Sequence, residues 1–325
     1  MPMIVKLRRF AFFAAVLLVA AGAAHPQDYP SRPIRLITPA APGGTTDLLA
    51  RLVSAKLGEI FGQQVIVDNR ASASGVIAGE LTAKAPPDGY TLLLAYHQHT
   101  INGALNPNLP YHPVNDFTPI TQLTRAGLLL VVNPESPPRT LQEFVDWTKK
   151  RSGELNYGSA GLGSGGHLAG ELYKQMANVK AQHIPYKGSG PALVDLIGGR
   201  YDYNFAGIQA AQPHVRSGKL RALGIGGYKR IAALPDVPTF AEAGVPGAEA
   251  TNWWGIVAPA GTPQTVLTRL ASEITAILDS AETQKRFQNE GADVLHMTPE
   301  QFGRHMAAET EKWTRVVKQA GIKAE

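Results

Sequence analysis

The chain has 325 residues, no cysteine and a formal net charge of +5. Without cysteine there is no disulfide, no thiolate metal site and no cysteine nucleophile. Lys6, Arg8 and Arg9 precede the first acidic residue, Asp28; without them 28 basic residues face 26 acidic ones, too small a surplus to favour nucleic acid.

That basic start leads into an apolar run over 10–21, then small residues up to Ala24. Residues 1–24 therefore read as a secretory signal peptide, cleaved after Ala24. The run falls short of the about 20 residues that span a bilayer. With 44% hydrophobic residues over its full length, the chain can build a core without disulfides. The expectation is a soluble, exported protein of two domains.

Residues 34–38 form the first expected strand. Pro39-Ala40-Ala41-Pro42-Gly43-Gly44 follows, then Thr45-Thr46-Asp47, and Leu48, Leu49, Leu52, Val53 and Leu57 recur at helical spacing up to Phe61. Glycine lets a ligand approach the backbone. Free N–H groups at a helix start attract an anion. The same residues also fit a turn that caps itself and binds nothing.

Residues 64–68 read as a second strand, 69–75 as a loop into a helix reaching about Lys84, and 91–96 as a third strand. Alternating strands and helices imply a parallel sheet covered on both faces. Ligands of such sheets sit beyond the carboxyl ends of the strands. Three loops share that rim, at 39–47, 69–75 and 96–100. The third holds His97-Gln98-His99. No acidic residue or third histidine lies at metal-ligand spacing, so these read as surface or pocket histidines, with His97 a donor to an anionic ligand.

From Thr124 to about Gly226 the pattern restarts. Strands are expected at 128–132, 155–159, 182–186, 201–205 and 220–225. Thr140-Leu141-Gln142-Glu143 is a capping box. Gly161-Leu162-Gly163-Ser164-Gly165-Gly166 matches a dinucleotide fingerprint, but 172–194 lacks the acidic residue that holds the ribose. A small anion on backbone N–H groups is the better use of these glycines. The nucleophile pattern G-x-S-x-G is absent there, with Tyr157 and Leu162 in the first glycine's places. Two Gly-loop anion sites in two similar halves suggest a cleft clamped from both sides.

Trp253 and Trp254 precede a strand at 256–258; they read as core or hinge packing ahead of a ligand platform. Thr262 is expected to cap a helix with Pro263 in its first turn. Thr298-Pro299-Glu300-Gln301 opens the last helix with a second capping box.

Several stretches now combine: Tyr29-Pro30-Ser31-Arg32-Pro33-Ile34, Pro42-Gly43-Gly44 with Asp47 and Arg51, and Val67-Asp68-Asn69-Arg70. Pro87-Asp88-Gly89-Tyr90-Thr91-Leu92, Asp116-Phe117-Thr118-Pro119-Ile120, Gly158-Ser159-Ala160-Gly161 and Pro185-Tyr186-Lys187-Gly188 continue the series. In this order they resemble the solute-binding proteins of tripartite tricarboxylate transporters, the Bordetella uptake gene family. The resemblance covers the whole mature chain.

It implies an α/β, two-lobed periplasmic binding protein fold, each lobe a mostly parallel sheet flanked by helices, with the ligand cleft between. Residues 25–123 with 248–325 would form one lobe and 124–247 the other. It implies capture of a small organic carboxylate by backbone N–H groups, hydroxyls and bridging waters, and delivery to membrane permease subunits. The protein would be a monomer and not an enzyme, with no cofactor, no metal and no nucleic-acid partner. The candidate ligand-binding residues are Pro42, Gly43, Gly44, Thr45, Thr46, Asp47, Ser72, His97, Ser159, Gly163, Ser164, His167 and Gln209. His167 fits packing inside the helix's first turn equally well. The family's Pro-Gly-Ala-Gly-Gly-like run is replaced by Ala71-Ser72-Ala73-Ser74-Gly75, which reshapes the rim loop at 69–75. A ligand sensor for a kinase would use the same fold. An exported hydrolase is disfavoured by the missing nucleophile pattern.

Overall fold

The computed structural model describes residues 29–43, 45–289 and 291–322. The expected signal segment and Gly44 lie outside the described residues. Strand β1 (Ile34–Thr38) leads into helix α1 (Thr45–Phe61) and strand β2 (Val65–Asn69). A single 3-10 turn (Ala73–Gly75) opens α2 (Val76–Ala83), and β3 (Thr91–Tyr96) follows. These three strands pair in parallel in the order β2-β1-β3. Leu92, Leu93 and Leu94 are all buried, as a strand covered on both faces requires.

The expected loop at 96–100 is instead the start of helix α3 (Gln98–Leu105). Its first turn is polar in sequence, yet Gln98, His99, Thr100 and Asn102 are buried with partners. His99 Nε2 lies 2.9 Å from the Pro113 carbonyl, and the Asn102 amide donates to the Ser74 carbonyl at 2.8 Å. Tertiary partners override the weak helix propensity of this stretch.

The second correction is larger. The strand expected at 128–132 is the end of β4 (Phe117–Val132), which carries both halves of the molecule. Its first part pairs antiparallel with β9 (Thr251–Pro259), and β9 pairs antiparallel with β3. Its last five residues pair with β7 (Tyr203–Gly207). They pair on the other side with β8 (Arg221–Ile225). Beyond β7 lie β5 (Leu155–Ser159) and β6 (Ala181–Pro185), parallel to one another and to β7. Each lobe thus holds three parallel strands, and the seam between the lobes is antiparallel. Strand β10 (Asp293–Val294) adds to β4.

The remaining helices are α4 (Leu141–Lys150), α5 (Gly165–Ala177), α6 (Ser189–Ile197) and α7 (Ile208–Arg216). After β9 come α8 (Gln264–Asp279), α9 (Ala281–Asn289) and α10 (Pro299–Ala320). The Thr298 capping box forms in full. At Thr140 the hydroxyl caps α4, but the Glu143 carboxylate reaches the N–H of Arg139 at 2.7 Å, one residue early. Thr262 does not cap α8: its hydroxyl donates to the Pro259 carbonyl at 2.8 Å, and Pro263 holds the cap position.

The seam brings backbones into close contact. A Cβ on Gly127 would fall 2.5 Å from the Gly227 nitrogen, so only glycine fits there. Leu128 donates to the Ala250 carbonyl at 3.1 Å and accepts from the Gly226 N–H at 2.8 Å. Helix α10 ties the two cores together. Phe302 and Met306 pack with Ile37, Leu93 and Trp253, while Trp313, Val316 and Val317 pack with Phe144, Leu172 and Tyr173.

Candidate functional site

The loop before α5 uses most of its own polar groups on itself. Ser159 Oγ accepts the Gly161 N–H at 3.1 Å and lies 2.7 Å from His183 Nε2. The Gly163 N–H donates to His167 Nδ1 at 3.0 Å. That bond places the His167 proton on Nε2. The His167 ring stacks on His183 with centroids 3.8 Å apart. Burial lowers the His167 pKa to about 4 and that of His183 to about 3, so both rings are neutral near pH 7. Ser159 and His167 are buried, and Gly163 takes φ +69° against Leu105. These three candidate residues thus shape the loop from within.

Ser164 is the N-cap of α5. Its hydroxyl oxygen accepts the His167 N–H at 3.3 Å, and its carbonyl accepts the Leu168 N–H at 3.0 Å. The N–H groups of Gly165 and Gly166 precede those two in the first turn, where a helix has no internal acceptors to offer. A Cβ on Gly166 would meet the Phe205 carbonyl at 2.5 Å. Two adjacent donors at the positive end of a 13-residue helix, free of side chains, suit a carboxylate.

These donors open on a cavity of about 190 Å³ at the seam. His97 comes from the end of β3, Leu128 and Asn252 from the seam strands, and Ser164, Ser189 and Asn204 from the other lobe. No Asp, Glu, Lys or Arg is among its described lining residues. Burial alone lowers the His97 pKa to about 3 and keeps that ring uncharged. The polar groups of its described lining residues are therefore all neutral.

The first rim loop closes on this site differently. Asp47 is buried, and its oxygens are engaged by the Gly43 N–H at 2.9 Å, Arg51 Nε at 2.9 Å and the Asn69 amide at 2.8 Å. The hydrogen bond from Arg51, with those from Gly43 and Asn69, holds its carboxyl down at about 2. Thr46 Oγ1 accepts the indole N–H of Trp254 at 2.9 Å, which fixes that ring in the core. Thr45 reaches across: its hydroxyl donates to Gln209 Oε1 at 2.6 Å. Gln209 is the second residue of α7, two beyond Gly207, which lines the cavity. Pro42 and Gly43 are exposed in the turn above, Gly43 with φ +90°. Ser72 Oγ accepts the Ile77 N–H at 3.3 Å and so serves the start of α2.

Of the candidates, His97 and Ser164 line the cavity, and Thr45 and Gln209 join α1 to α7 by a hydrogen bond. Thr46, Asp47, Ser72, Ser159, Gly163 and His167 spend polar atoms within the protein. The reading missed Ser189, Asn204 and Asn252. Asn252 carries no motif; only its place before Trp253 on a seam strand marks it. Trp253 is fully buried and Trp254 nearly so, as core and seam packing. Among the described residues, no three His, Asp or Glu side chains are close enough to hold a metal.

The chain matches the family model described as "Tripartite tricarboxylate transporter family receptor" over residues 49–322. Protein BugT of Bordetella pertussis is 38% identical over 313 residues, covering 95% of this chain and 96% of that protein. Among solved structures, R. palustris Rpa4515 with adipate is 38% identical with a TM-score of 0.78 over 92% of this chain and 100% of that one. MatC from Rhodopseudomonas palustris with bound malate is 34% identical with a TM-score of 0.73, over 89% and 100%. Sequence match, fold and a cleft between two lobes agree, and the chain belongs to the tripartite tricarboxylate transporter receptor family, whose members are solute-binding proteins.

Proposed function

We propose that the chain is a periplasmic receptor that closes on a small organic carboxylate and hands it to the membrane permease subunits of a tripartite transporter. Residues 25–123 with 248–325 act as one lobe and 124–247 as the other. The observation that carries the reading is the seam cavity, walled from both lobes and lined by neutral polar groups, with no cation among its described lining residues. Backbone N–H groups at the start of α5 supply charge stabilisation. An arginine clamp would add affinity and slow release; neutral donors keep capture reversible, as handover requires. Relatives solved with adipate and malate support the carboxylate class.

Residues 1–24 direct export and are removed, leaving a monomer that acts without a cofactor and without catalysis. No described helix is long and apolar enough to cross a membrane. A melting-temperature screen of C4–C8 carboxylates tests the reading. A ligand held only by the folded, closed form adds about 2.7 kcal/mol at a hundredfold excess over Kd. Some carboxylate should raise Tm by several degrees while its amide or methyl ester does not. Equal shifts from acid and neutral analogue would remove anion recognition from the account.

A further inference from the structure

Which N–H groups the Gly-rich loop leaves free is decided in part by a residue outside it. His183 sits on β6 opposite Tyr157 of β5, and its ring touches both side chains that tie the loop down. Its Nε2 lies 2.7 Å from Ser159 Oγ, and its ring centroid lies 3.8 Å from that of His167, with the planes 11° apart. Tyr157 backs the His183 ring at 4.9 Å. The chain beyond β6 is fastened to the loop as well. The Tyr186 N–H donates to the Ser159 carbonyl at 3.1 Å, and the Gly188 N–H to the Ala160 carbonyl at 3.0 Å.

Two arms run from His183 into the loop. The first passes through Ser159, whose hydroxyl donates to the Gly161 carbonyl at 3.0 Å and accepts the Gly161 N–H at 3.1 Å. One proton cannot serve both that carbonyl and a bare imidazole nitrogen. The set is complete when His183 carries its proton on Nε2 and donates to Ser159 Oγ. The second arm passes through the stack: the His167 ring lies against His183 and accepts the Gly163 N–H on Nδ1 at 3.0 Å.

We propose that His183 is the positioning residue of the anion site: through Ser159 and His167 it keeps the Gly161 and Gly163 N–H groups occupied and leaves those of Gly165 and Gly166 for the ligand. This rests on the carboxylate reading and adds the residue that preorganises the site, so that less ordering remains to be done on binding. The second arm works only with a neutral His167, because a proton on Nδ1 turns the acceptor into a donor facing the Gly163 N–H. The charged groups facing the two rings are Glu171 and Lys174 of α5; Glu171 favours that proton and Lys174 disfavours it. The Tyr157 hydroxyl, from β5, donates to Glu171 at 2.6 Å.

Two variants test the first arm. His183→Phe keeps a ring against His167 and loses the bond to Ser159, whereas His183→Gln sets an amide where Nε2 was and keeps the bond. Calorimetry with succinate, malate and adipate should show affinity about fivefold or more weaker in His183→Phe, and within about twofold of wild type in His183→Gln. Circular dichroism and melting establish that each variant is folded. The second arm needs neither of these variants nor a ligand. In wild-type 15N–1H spectra the Gly163 amide proton should move upfield as pH falls, with the same midpoint as the His167 ring, about 4, and Lys174→Met should raise both midpoints together. A Gly163 amide that ignores the His167 titration overturns the proposal. So does His183→Phe binding as tightly as wild type, or a folded His183→Gln as weak as His183→Phe. If the wild type binds none of these acids and nothing in the wider screen, the carboxylate reading fails and the anion site with it, whatever the Gly163 amide does.

Discussion

Replacing Asp47 by Asn keeps the shape of the first rim loop and removes its charge. Asp47 is 2% exposed and receives hydrogen bonds from Gly43, Arg51 and Asn69. Its carboxyl is held at about 2 against an ordinary 3.8, with the Arg51 hydrogen bond the largest cause. A carboxyl lowered in the folded state stabilises that state fully above its unfolded pKa, and this contribution is lost as pH falls through the folded pKa. At about 1.4 kcal/mol per pKa unit, the contribution is about 2 kcal/mol, complete above about pH 4 and largely gone near pH 2. The variant does not titrate at this position. Denaturant unfolding of both proteins between about pH 6 and 2 should therefore give a stability gap that narrows by about 2 kcal/mol on the acid side. A gap that stays constant across that window would refute the role given to this carboxylate.

Thr45→Val removes the hydroxyl that bridges to Gln209; a bond of about 0.5–1.5 kcal/mol predicts ligand dissociation roughly two- to tenfold faster by stopped flow, with stability little changed. An unchanged dissociation rate would mean that this contact does not help hold the cleft closed. Thr46→Val leaves the Trp254 indole N–H unpaired in the core, so the melt should show a loss of about 1–3 kcal/mol. Gly165→Ala places a Cβ 2.7 Å from the Asn252 amide, inside the cavity, and should abolish carboxylate binding while the circular dichroism spectrum is kept. Wild-type affinity in that variant would move the ligand away from the start of α5.

Local order was legible where short-range chemistry decides it. The bounds of β1 and β3 followed from their apolar runs, and the Thr298 capping box from four adjacent residues. Strand β4 was legible only in its last five residues. Its first part carries Thr118, Pro119, Gln122, Thr124 and Arg125, and stays extended because β9, more than 100 positions away, pairs with it. No local pattern encodes that partner. Helix α3 was missed for a similar reason, since its polar first turn is held by distant acceptors. Within the site, the Gly-rich loop stood out in the sequence. Which of its N–H groups remain free did not, because His167 takes the one on Gly163 and Ser159 the one on Gly161. Asn252 could not be found without the seam itself.

In the proposed complex the ligand's carboxylate sits on the N–H groups that open α5. An assigned 15N–1H correlation spectrum, recorded while a carboxylate that raises Tm is titrated in, observes those two protons directly. The amide protons of Gly165 and Gly166 should move downfield together and saturate with the affinity found by calorimetry, while the already paired amides of Gly161 and Gly163 move less. Saturating shifts confined to another surface, such as the groove lined by Asn106, Leu109 and Thr310, with Gly165 and Gly166 unmoved, would contradict it.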